Sequence, residues 1–172
     1  AAGAGDVDGD GLGDIMFGAH TSDSNRGRVY LIYGSSLGLS LQAADVADVL
    51  FEGQNWSDHA GRSIGPAGEV DGDGRADILI GARNAGDRVG RGYLVLGKSV
   101  SEGVFDLADA DVRFIGEERL DEAGYTVSSA GDVNGDGLDD LLFAAWQANS
   151  LEGGGEVDSG PGLAYLVLVP SE

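Results

Sequence analysis

The chain has 172 residues, 42% of them hydrophobic, and its 30 Asp and Glu against 10 Lys and Arg give a formal net charge of -20. This hydrophobic content predicts a folded core, and the negative charge argues against nucleic acid as a partner and favours cations. The sequence has no cysteine, which excludes disulfides and thiolate metal sites. No apolar run approaches the ~20 residues that span a bilayer, so we expect no membrane insertion.

The first recognisable element in chain order is an acidic, glycine-rich stretch, GDVDGDGLGDI, which begins at Gly5. Related stretches, GEVDGDGRADI and GDVNGDGLDDL, begin at Gly68 and Gly131, so the spacing is 63 residues both times. A fixed spacing of this kind indicates an internal repeat. We predict three repeats in a single segment, at approximately residues 1–57, 58–120 and 121–172.

Apolar runs follow each acidic stretch in the same register. The first set reads DIMFGAH, DILIGAR and DLLFAAW, and the second reads GRVYLIYG, GRGYLVLG and GLAYLVLV. The last run begins nine residues late, which we attribute to a surface-loop insertion, SLEGGGEVDSG. ADVLFEG and ADVRFIG form a third set, and GRSIGPAG and GYTVSSAG precede two of the acidic stretches. Their short length, their β-branched and aromatic residues and the bounding glycines favour strands.

Each repeat is therefore predicted to form four antiparallel strands, and repeated four-stranded sheets indicate an all-β fold, a partial β-propeller of about three blades. The continuous apolar character of DILI and YLVL predicts strands buried on both faces, and hence stacked sheets. The segment SLQAADVADVL has the composition of an amphipathic helix over its first half.

Measured against three full repeats, the sequence lacks the first strand of the first repeat and the last strand of the third. A propeller needs at least ~4 blades to close. We therefore expect the chain to be completed by the remaining blades of a longer chain or by self-association.

The acidic stretches carry side-chain oxygens at positions 1, 3, 5 and 9 and a glycine at position 6. This matches the first nine positions of an EF-hand-type loop, in which position 7 donates a backbone carbonyl. Oxygen donors of this number suit Ca²⁺ better than Mg²⁺ or Zn²⁺, so we predict about three Ca²⁺ per chain. The predicted metal ligands are Asp6, Asp8, Asp10, the Leu12 carbonyl and Asp14; Glu69, Asp71, Asp73, the Arg75 carbonyl and Asp77; and Asp132, Asn134, Asp136, the Leu138 carbonyl and Asp140.

Position 12, which is acidic in EF-hands, is an apolar strand residue here: Phe17, Ile80 and Phe143. A loop that lacks this bidentate carboxylate is expected to bind at the weak end of the calcium range, ~10⁻⁵ to 10⁻³ M. Affinities of that order suit an extracellular or cell-surface setting.

The acidic loop, the following strand and the pairs Gly18-Ala19 and Gly81-Ala82 resemble FG-GAP repeats, the units of the integrin α-subunit β-propeller. The resemblance covers nearly the whole chain, and it implies that the acidic loop joins the first two strands of a blade and binds Ca²⁺. The sequence departs from the motif at the FG position, which reads Ala60-Gly61 and Ala123-Gly124, and at the third Gly-Ala pair, which reads Ala144-Ala145.

These patterns predict a calcium-binding, noncatalytic propeller segment for extracellular adhesion or ligand recognition, with an extracellular protein or a glycan as its partner. The connections at residues 20–26, 83–88 and 149–160 vary between repeats, so specificity is expected there. The alternative is the propeller body or an accessory module of a secreted carbohydrate-active enzyme.

Other motifs favour structural interpretations. GRSIG, from Gly61, matches a nucleophile-elbow pattern but lies in a predicted strand rather than a strand-turn-helix context. His20 and His59 do not recur and are expected to be loop residues. Trp56 and Trp146 are weak candidates for ligand contact, whereas the three recurring tyrosines are expected in the core. The acidic run of Glu117, Glu118, Asp121 and Glu122 is expected to be a solvated loop.

Overall fold

The computed structural model describes residues 1–37, 46–148 and 161–170. The described strands are β1 (Ala2–Gly5), β2 (Asp14–Ala19), β3 (Arg28–Ile32), β4 (Val49–Glu52), β5 (Ser63–Gly68), β6 (Asp77–Ala82), β7 (Arg91–Val95), β8 (Gly103–Asp106), β9 (Val112–Ile115), β10 (Ala123–Gly131), β11 (Asp140–Ala145) and β12 (Leu163–Val167). The described helical elements are short turns at Ser22–Asn25 and Ala85–Arg88 and 3₁₀ turns at Gly34–Ser36, Gly97–Ser99 and Leu107–Asp109. The predicted helical half of SLQAADVADVL and the glycine-rich insertion fall outside the described residues.

The described strands form three sheets, in the orders β1-β2-β3-β4-β8, β5-β6-β7-β9 and β10-β11-β12. Neighbouring strands are antiparallel except for the pair β4 and β8, and equivalent residues pair in all three sheets. Phe17 lies opposite Tyr30, Ile80 opposite Tyr93 and Phe143 opposite Tyr165. The prediction of antiparallel all-β sheets in a repeated register is thus confirmed.

Two strands differ from the sequence-based prediction. The first strand of the first repeat was expected to be missing, yet β1 forms from Ala2–Gly5 and pairs with β2. Its alanines and glycines give no strand pattern, and it forms because the edge of β2 offers backbone partners. The second difference is β8, which follows β7 in the chain but pairs in parallel with β4 of the first sheet.

The hydrophobic core lies between the sheets, and the middle sheet is covered on both faces. All six residues of β6 are buried. Ile78 and Ile80 pack with Phe51 of the first sheet, whereas Leu79 joins the cluster that contains Leu141 and Phe143 of the third sheet. This alternation is the two-sided burial that the continuous apolar run predicts.

The third sheet has an open outer face within the described residues. Leu142 is 40% exposed, Leu166 48% and Leu168 52%. Each is an apolar side chain on or beside a strand, so this face has the composition of a surface that packs against a further sheet.

Antiparallel connectivity sends successive connections to opposite ends of each sheet. The acidic loops join β1 to β2, β5 to β6 and β10 to β11, and we call their location the acidic end. The connections from β2 to β3, from β6 to β7 and from β4 to β5 lie at the other end, which we call the variable end. A six-residue strand separates the two ends by ~20 Å.

Candidate metal centres

Each acidic loop is organised by its own carboxylates, which accept hydrogen bonds from backbone N–H groups. In the first loop, Asp6 Oδ1 accepts from Gly9 N at 2.8 Å and Asp6 Oδ2 accepts from Gly11 N at 2.9 Å. Asp8 and Asp10 each accept from the N–H two residues ahead, at 3.0 and 2.7 Å. These short-range bonds turn the chain tightly around the side-chain oxygens.

The same bonds recur in the other loops. Glu69 accepts from Gly72 and Gly74, and Asp132 accepts from Gly135 and Gly137. The glycines at positions 4 and 6 have φ between 76° and 93° in all three loops, a conformation that disfavours a side chain. The EF-hand-type spacing in the sequence therefore corresponds to one backbone structure formed three times.

The carboxylate at position 9 is buried in every loop and binds two backbone N–H groups. Asp14 accepts from Val7 and Gly34, at 2.7 and 2.8 Å. The equivalent bonds link Asp77 to Val70 and Gly97, and Asp140 to Val133 and Val169. Each position-9 side chain thus ties its loop to a later connection at the acidic end.

Burial sets the protonation behaviour of two of these carboxylates. Desolvation raises the pKa of Asp77 to about 6, against the hydrogen bonds from Gly97 and Val70, which lower it, and the nearby charges of Asp71 and Glu69 raise it further. Desolvation by burial also raises the pKa of Asp14. A cation beside these groups would counter both effects, because it stabilises the charged form.

The structure brings three carboxylates together in each of the first two loops. Ligand oxygens of Asp6, Asp8 and Asp14 lie within 4.8 Å of one another, and the same holds for Glu69, Asp71 and Asp77. Oxygens bound to one Ca²⁺ at 2.3–2.6 Å lie at most about 5 Å apart, so both sets fit this ion in spacing and in chemistry.

The remaining predicted ligands lie outside these two carboxylate trios. Asp10 and Asp73 are exposed and lie outside these two groups. In the third loop position 3 is Asn134, an amide that donates to Asp136 at 3.2 Å, so only Asp132 and Asp140 offer carboxylates at the positions that form the trio in the other two loops. At position 7, the N–H groups of Leu12, Arg75 and Leu138 bind the position-5 carboxylates. Coordination by their carbonyls stays a prediction.

A lysine distinguishes the second loop from the first. Lys98 Nζ lies 2.5 Å from Asp71 Oδ2. Partial burial would raise the pKa of Asp71, but the hydrogen bonds from Lys98 and from the Asp73 N–H, together with the charge of Lys98, lower it overall. The residue 63 positions earlier is Ser35, which carries no charge. The sequence did not predict this contact, although the change from Ser35 to Lys98 at equivalent positions is a signal for it.

Neighbouring loops are also joined to each other, which the sequence analysis did not anticipate. Ala76 N donates to Asp6 O, and Asp139 N donates to Glu69 O, both at 2.8 Å. Asp139 Oδ2 also accepts from Glu69 N at 2.9 Å. Each bond joins position 8 of one loop to position 1 of the preceding loop. The three candidate metal centres therefore form one connected row along the acidic end.

The other residues considered from the sequence occupy structural or surface positions. Ser63 lies in β5, where its Oγ accepts from Val127 N at 3.0 Å, so the elbow-like motif is a strand. Of the three recurring tyrosines expected in the core, Tyr93 is fully buried and Tyr30 and Tyr165 are half-buried. Trp56 and Trp146 are 77% and 53% exposed.

The expectation of a solvated loop is wrong for part of the acidic run. Asp121 and Glu122 are buried, and Glu117 and Glu118 are exposed. Asp121 accepts from the N–H groups of Glu117 and Glu118, and Glu122 forms ion pairs with Arg83 and Arg88.

The sheets and loops define a class of protein built from repeated antiparallel sheets, each with an EF-hand-type loop between its first two strands. Comparison with protein families gives a match to the FG-GAP repeat at residues 1–32 and 60–95. The chain therefore carries FG-GAP repeats.

Similar proteins include integrin alpha pat-2 of Caenorhabditis elegans, 28% identical over 82% of this chain and 12% of the relative. Human integrin alpha-IIb is 29% identical over 85% of the chain and 14% of its own length. The phosphatidylinositol-glycan-specific phospholipase D of Bos taurus is 30% identical over 81% of the chain and 17% of the relative. The chain thus spans less than a fifth of the length of these relatives. No helix in the described ranges is long and apolar enough to cross a membrane.

Proposed function

We propose that the chain is a calcium-stabilised, noncatalytic β-propeller segment, built from four-stranded blades, that serves extracellular adhesion or ligand recognition. The observation that carries this proposal is the threefold recurrence of one loop structure, with carboxylate trios spaced for Ca²⁺ in two of its copies. A scaffold role is favoured because the loops are connected to each other and to later connections.

Three ions would be held by the predicted ligands of the three loops, with the position-9 carboxylate as the innermost donor. The ions would supply positive charge that offsets repulsion among carboxylates crowded into nine residues. The hydrogen bonds from Ala76 and Asp139 join neighbouring loops, so a loop that is ordered by its ion also restrains the loop of the next sheet. Calcium binding and the rigidity of the sheet junctions are therefore coupled.

Recognition would occur at the variable end, where connections that differ between repeats are displayed. Integrin alpha-IIb and integrin alpha pat-2 are integrin subunits by name, which supports an extracellular or cell-surface setting with a protein or glycan partner. Further blades of a longer chain, or a second copy, would cover the open face around Leu142 and Leu166.

The enzyme alternative has one supporting observation, because a relative of similar identity is a phospholipase D by name. The chain covers 17% of that protein. A screen of glycans and glycolipids for cleavage discriminates the two functions, since any turnover would contradict a noncatalytic role.

Thermal unfolding of the chelator-stripped chain, repeated with Ca²⁺ and with Mg²⁺, tests the scaffold role. Ca²⁺ at a hundredfold excess over Kd would add about 2.7 kcal/mol per site, and Mg²⁺ at the same concentration much less. Asp8→Asn and Asp71→Asn should each remove part of the calcium-dependent rise in the midpoint. A midpoint that Ca²⁺ leaves unchanged would count against the proposal.

A further inference from the structure

The variable end gathers four side chains that are basic or can become so: His20, His59, Arg62 and Arg83. The rings of His20 and His59 have centroids 5.8 Å apart. Burial lowers the pKa of both histidines first, and the charges of Arg62 and Arg83 lower it further. These four groups come from the β2–β3, β4–β5 and β6–β7 connections, so they meet only because the first two sheets stack.

This cluster has unused hydrogen-bonding capacity. The buried Nδ1 of His59 and the buried Nε of Arg83 have no hydrogen-bond partner among the described residues. Arg62 is exposed, and its guanidinium forms neither a hydrogen bond nor an ion pair within the described part of the chain. Unpaired donors at a partly buried site are costly, and an acceptor brought by a ligand would remove the cost.

Nearby carboxylates do not neutralise the cluster. Glu122 is shared between Arg83, at 3.0 Å, and Arg88, so two guanidinium groups face one carboxylate. Asp58 also faces His59, but its buried carboxylate accepts hydrogen bonds from Asn55, and Asp87 is paired with Arg119. In a chain with a net charge of -20, a local excess of cations indicates a place suited to an anion.

A cleft of about 410 Å³ adjoins this cluster and is formed by two of its three connections, β4–β5 and β6–β7. Its walls are formed by Asn55, Trp56, Ser57, Asn84 and Gly86, together with the charged residues Asp58, Asp87 and Arg88. Asn84 N donates to Asp58 O at 3.3 Å, which joins the two connections across the cleft. A cleft of this size accommodates one or two sugar rings. Trp56, 77% exposed, offers a flat apolar surface, and the amides offer donors and acceptors for hydroxyl groups.

The backbone around the cleft is held in an uncommon conformation. Ser57, His59, Asp87 and Arg88 all have φ between 57° and 68°. The equivalent residues of the other repeats, Ser24, Asn25, Leu120 and Glu122, also have positive φ, so this conformation belongs to the repeated turns and is enforced by their local contacts. Here His59 N donates to Asn25 O at 2.9 Å and Arg88 N to Asn84 O at 3.0 Å. The cleft is therefore pre-organised rather than formed on binding.

We propose that His20, His59, Arg62 and Arg83 form an oxyanion-binding site that, with the Trp56 cleft, recognises an acidic glycan. The carboxylate or sulfate group would accept hydrogen bonds from the four side chains, and a neighbouring sugar ring would stack on Trp56. A glycan is favoured over an acidic peptide because the aromatic surface and the amides adjoin the cationic cluster. The proposal rests on the recognition function proposed above and specifies its ligand class.

The site is first tested with inorganic sulfate on the intact chain, by NMR of the histidine rings at constant ionic strength with chloride as the reference. The sequence contains two histidines, and both lie in the cluster, so every imidazole signal reports on it. Saturable shifts and a rise in both histidine pKa values are expected. Arg62→Gln should weaken sulfate binding at least threefold, because it removes an unpaired charge from the site. Arg113→Gln, an equal charge change on exposed β9, should leave binding unchanged.

The ligand class is tested on an array of sulfated, sialylated and uronic acid oligosaccharides with their neutral counterparts, in the presence of Ca²⁺, with hexaglutamate as the peptide arm. Binding of an acidic oligosaccharide above its neutral counterpart, lost in Arg62→Gln and in Trp56→Ala, supports the proposal. No histidine response to sulfate, equal binding by wild type and Arg62→Gln, or preference for hexaglutamate would overturn it. Because calcium binding is measured separately, failure here is distinguishable from failure of the proposed scaffold function.

Discussion

Gly81 packs so closely against Gly124, where the second sheet meets the third, that a Cβ on Gly81 would lie 2.1 Å from the carbonyl oxygen of Gly124. Gly18 and Gly61 make the same contact between the first and second sheets. A Cβ atom at Gly18 or Gly81 would fall far inside the contact distance of that oxygen. The glycine of the Gly-Ala pair is therefore required by sheet packing, and the glycine of the FG position is its partner in the next repeat.

Gly81→Ala should destabilise the chain by about 1–3 kcal/mol, because the added methyl group forces the second and third sheets apart. Urea denaturation measures this loss as a lower midpoint at an unchanged slope. Gly3→Ala is the matched control, since no atom lies within 4 Å of its added Cβ. Equal stability of the two variants would show that the junction tolerates the methyl group.

Asp77→Ala should destabilise the chain even in excess chelator. Its two oxygens bind the N–H groups of Val70 and Gly97 in a fully buried position, and their loss leaves both donors unpaired, at about 1–3 kcal/mol each. Asp73→Ala, at an exposed position of the same loop, should change stability little without metal. Chemical denaturation in chelator compares the unfolding free energies of the two variants. A similar loss of stability in Asp77→Ala and Asp73→Ala would contradict a structural role specific to position 9.

The sequence predicted those parts of the fold that depend on local pattern. The register that pairs Ile80 with Tyr93 follows from the 63-residue spacing, and the burial of β6 follows from its continuous apolar run. The loop spacing likewise predicted that Asp6, Asp8 and Asp14 would gather, because glycines fix where the chain turns.

Features that depend on contacts between repeats could not be predicted in this way. The β4–β8 pairing and the Ala76–Asp6 bond join segments that are distant in sequence and carry no special residue type. His20 and His59 do not recur, so comparison of repeats predicted ordinary loop residues. The two histidines lie near Arg83 because of the way the first two sheets stack, and the repeat spacing in the sequence does not specify this stacking.

Lys98→Ser should strengthen calcium binding at the second loop several-fold. The ammonium of Lys98 occupies one side of Asp71, and an ion must displace it to use that oxygen. Ser35→Lys makes the reciprocal change and should weaken the first loop. Calorimetric titration of the two variants measures both shifts, and identical isotherms for wild type and Lys98→Ser would contradict this competition.

Without an added oxyanion, both histidines should titrate below 6.5, because burial and the neighbouring arginines disfavour the charged form. A folded pKa below the unfolded value contributes stability that is fully present above pH 6.5 and is lost as pH falls through the folded pKa. NMR titration of the two imidazole rings measures both values directly. Values at or above 6.5 would show that the cluster is open to solvent and its charges are screened.

Calorimetric titration of the chelator-stripped chain with Ca²⁺ decides whether the acidic loops are metal centres. About three sites with dissociation constants of ~10⁻⁵ to 10⁻³ M are expected, and one site fewer in Asp132→Ala. Absence of binding up to several millimolar Ca²⁺, in a chain whose circular dichroism shows folded β-structure, would contradict the assignment of the loops as metal centres.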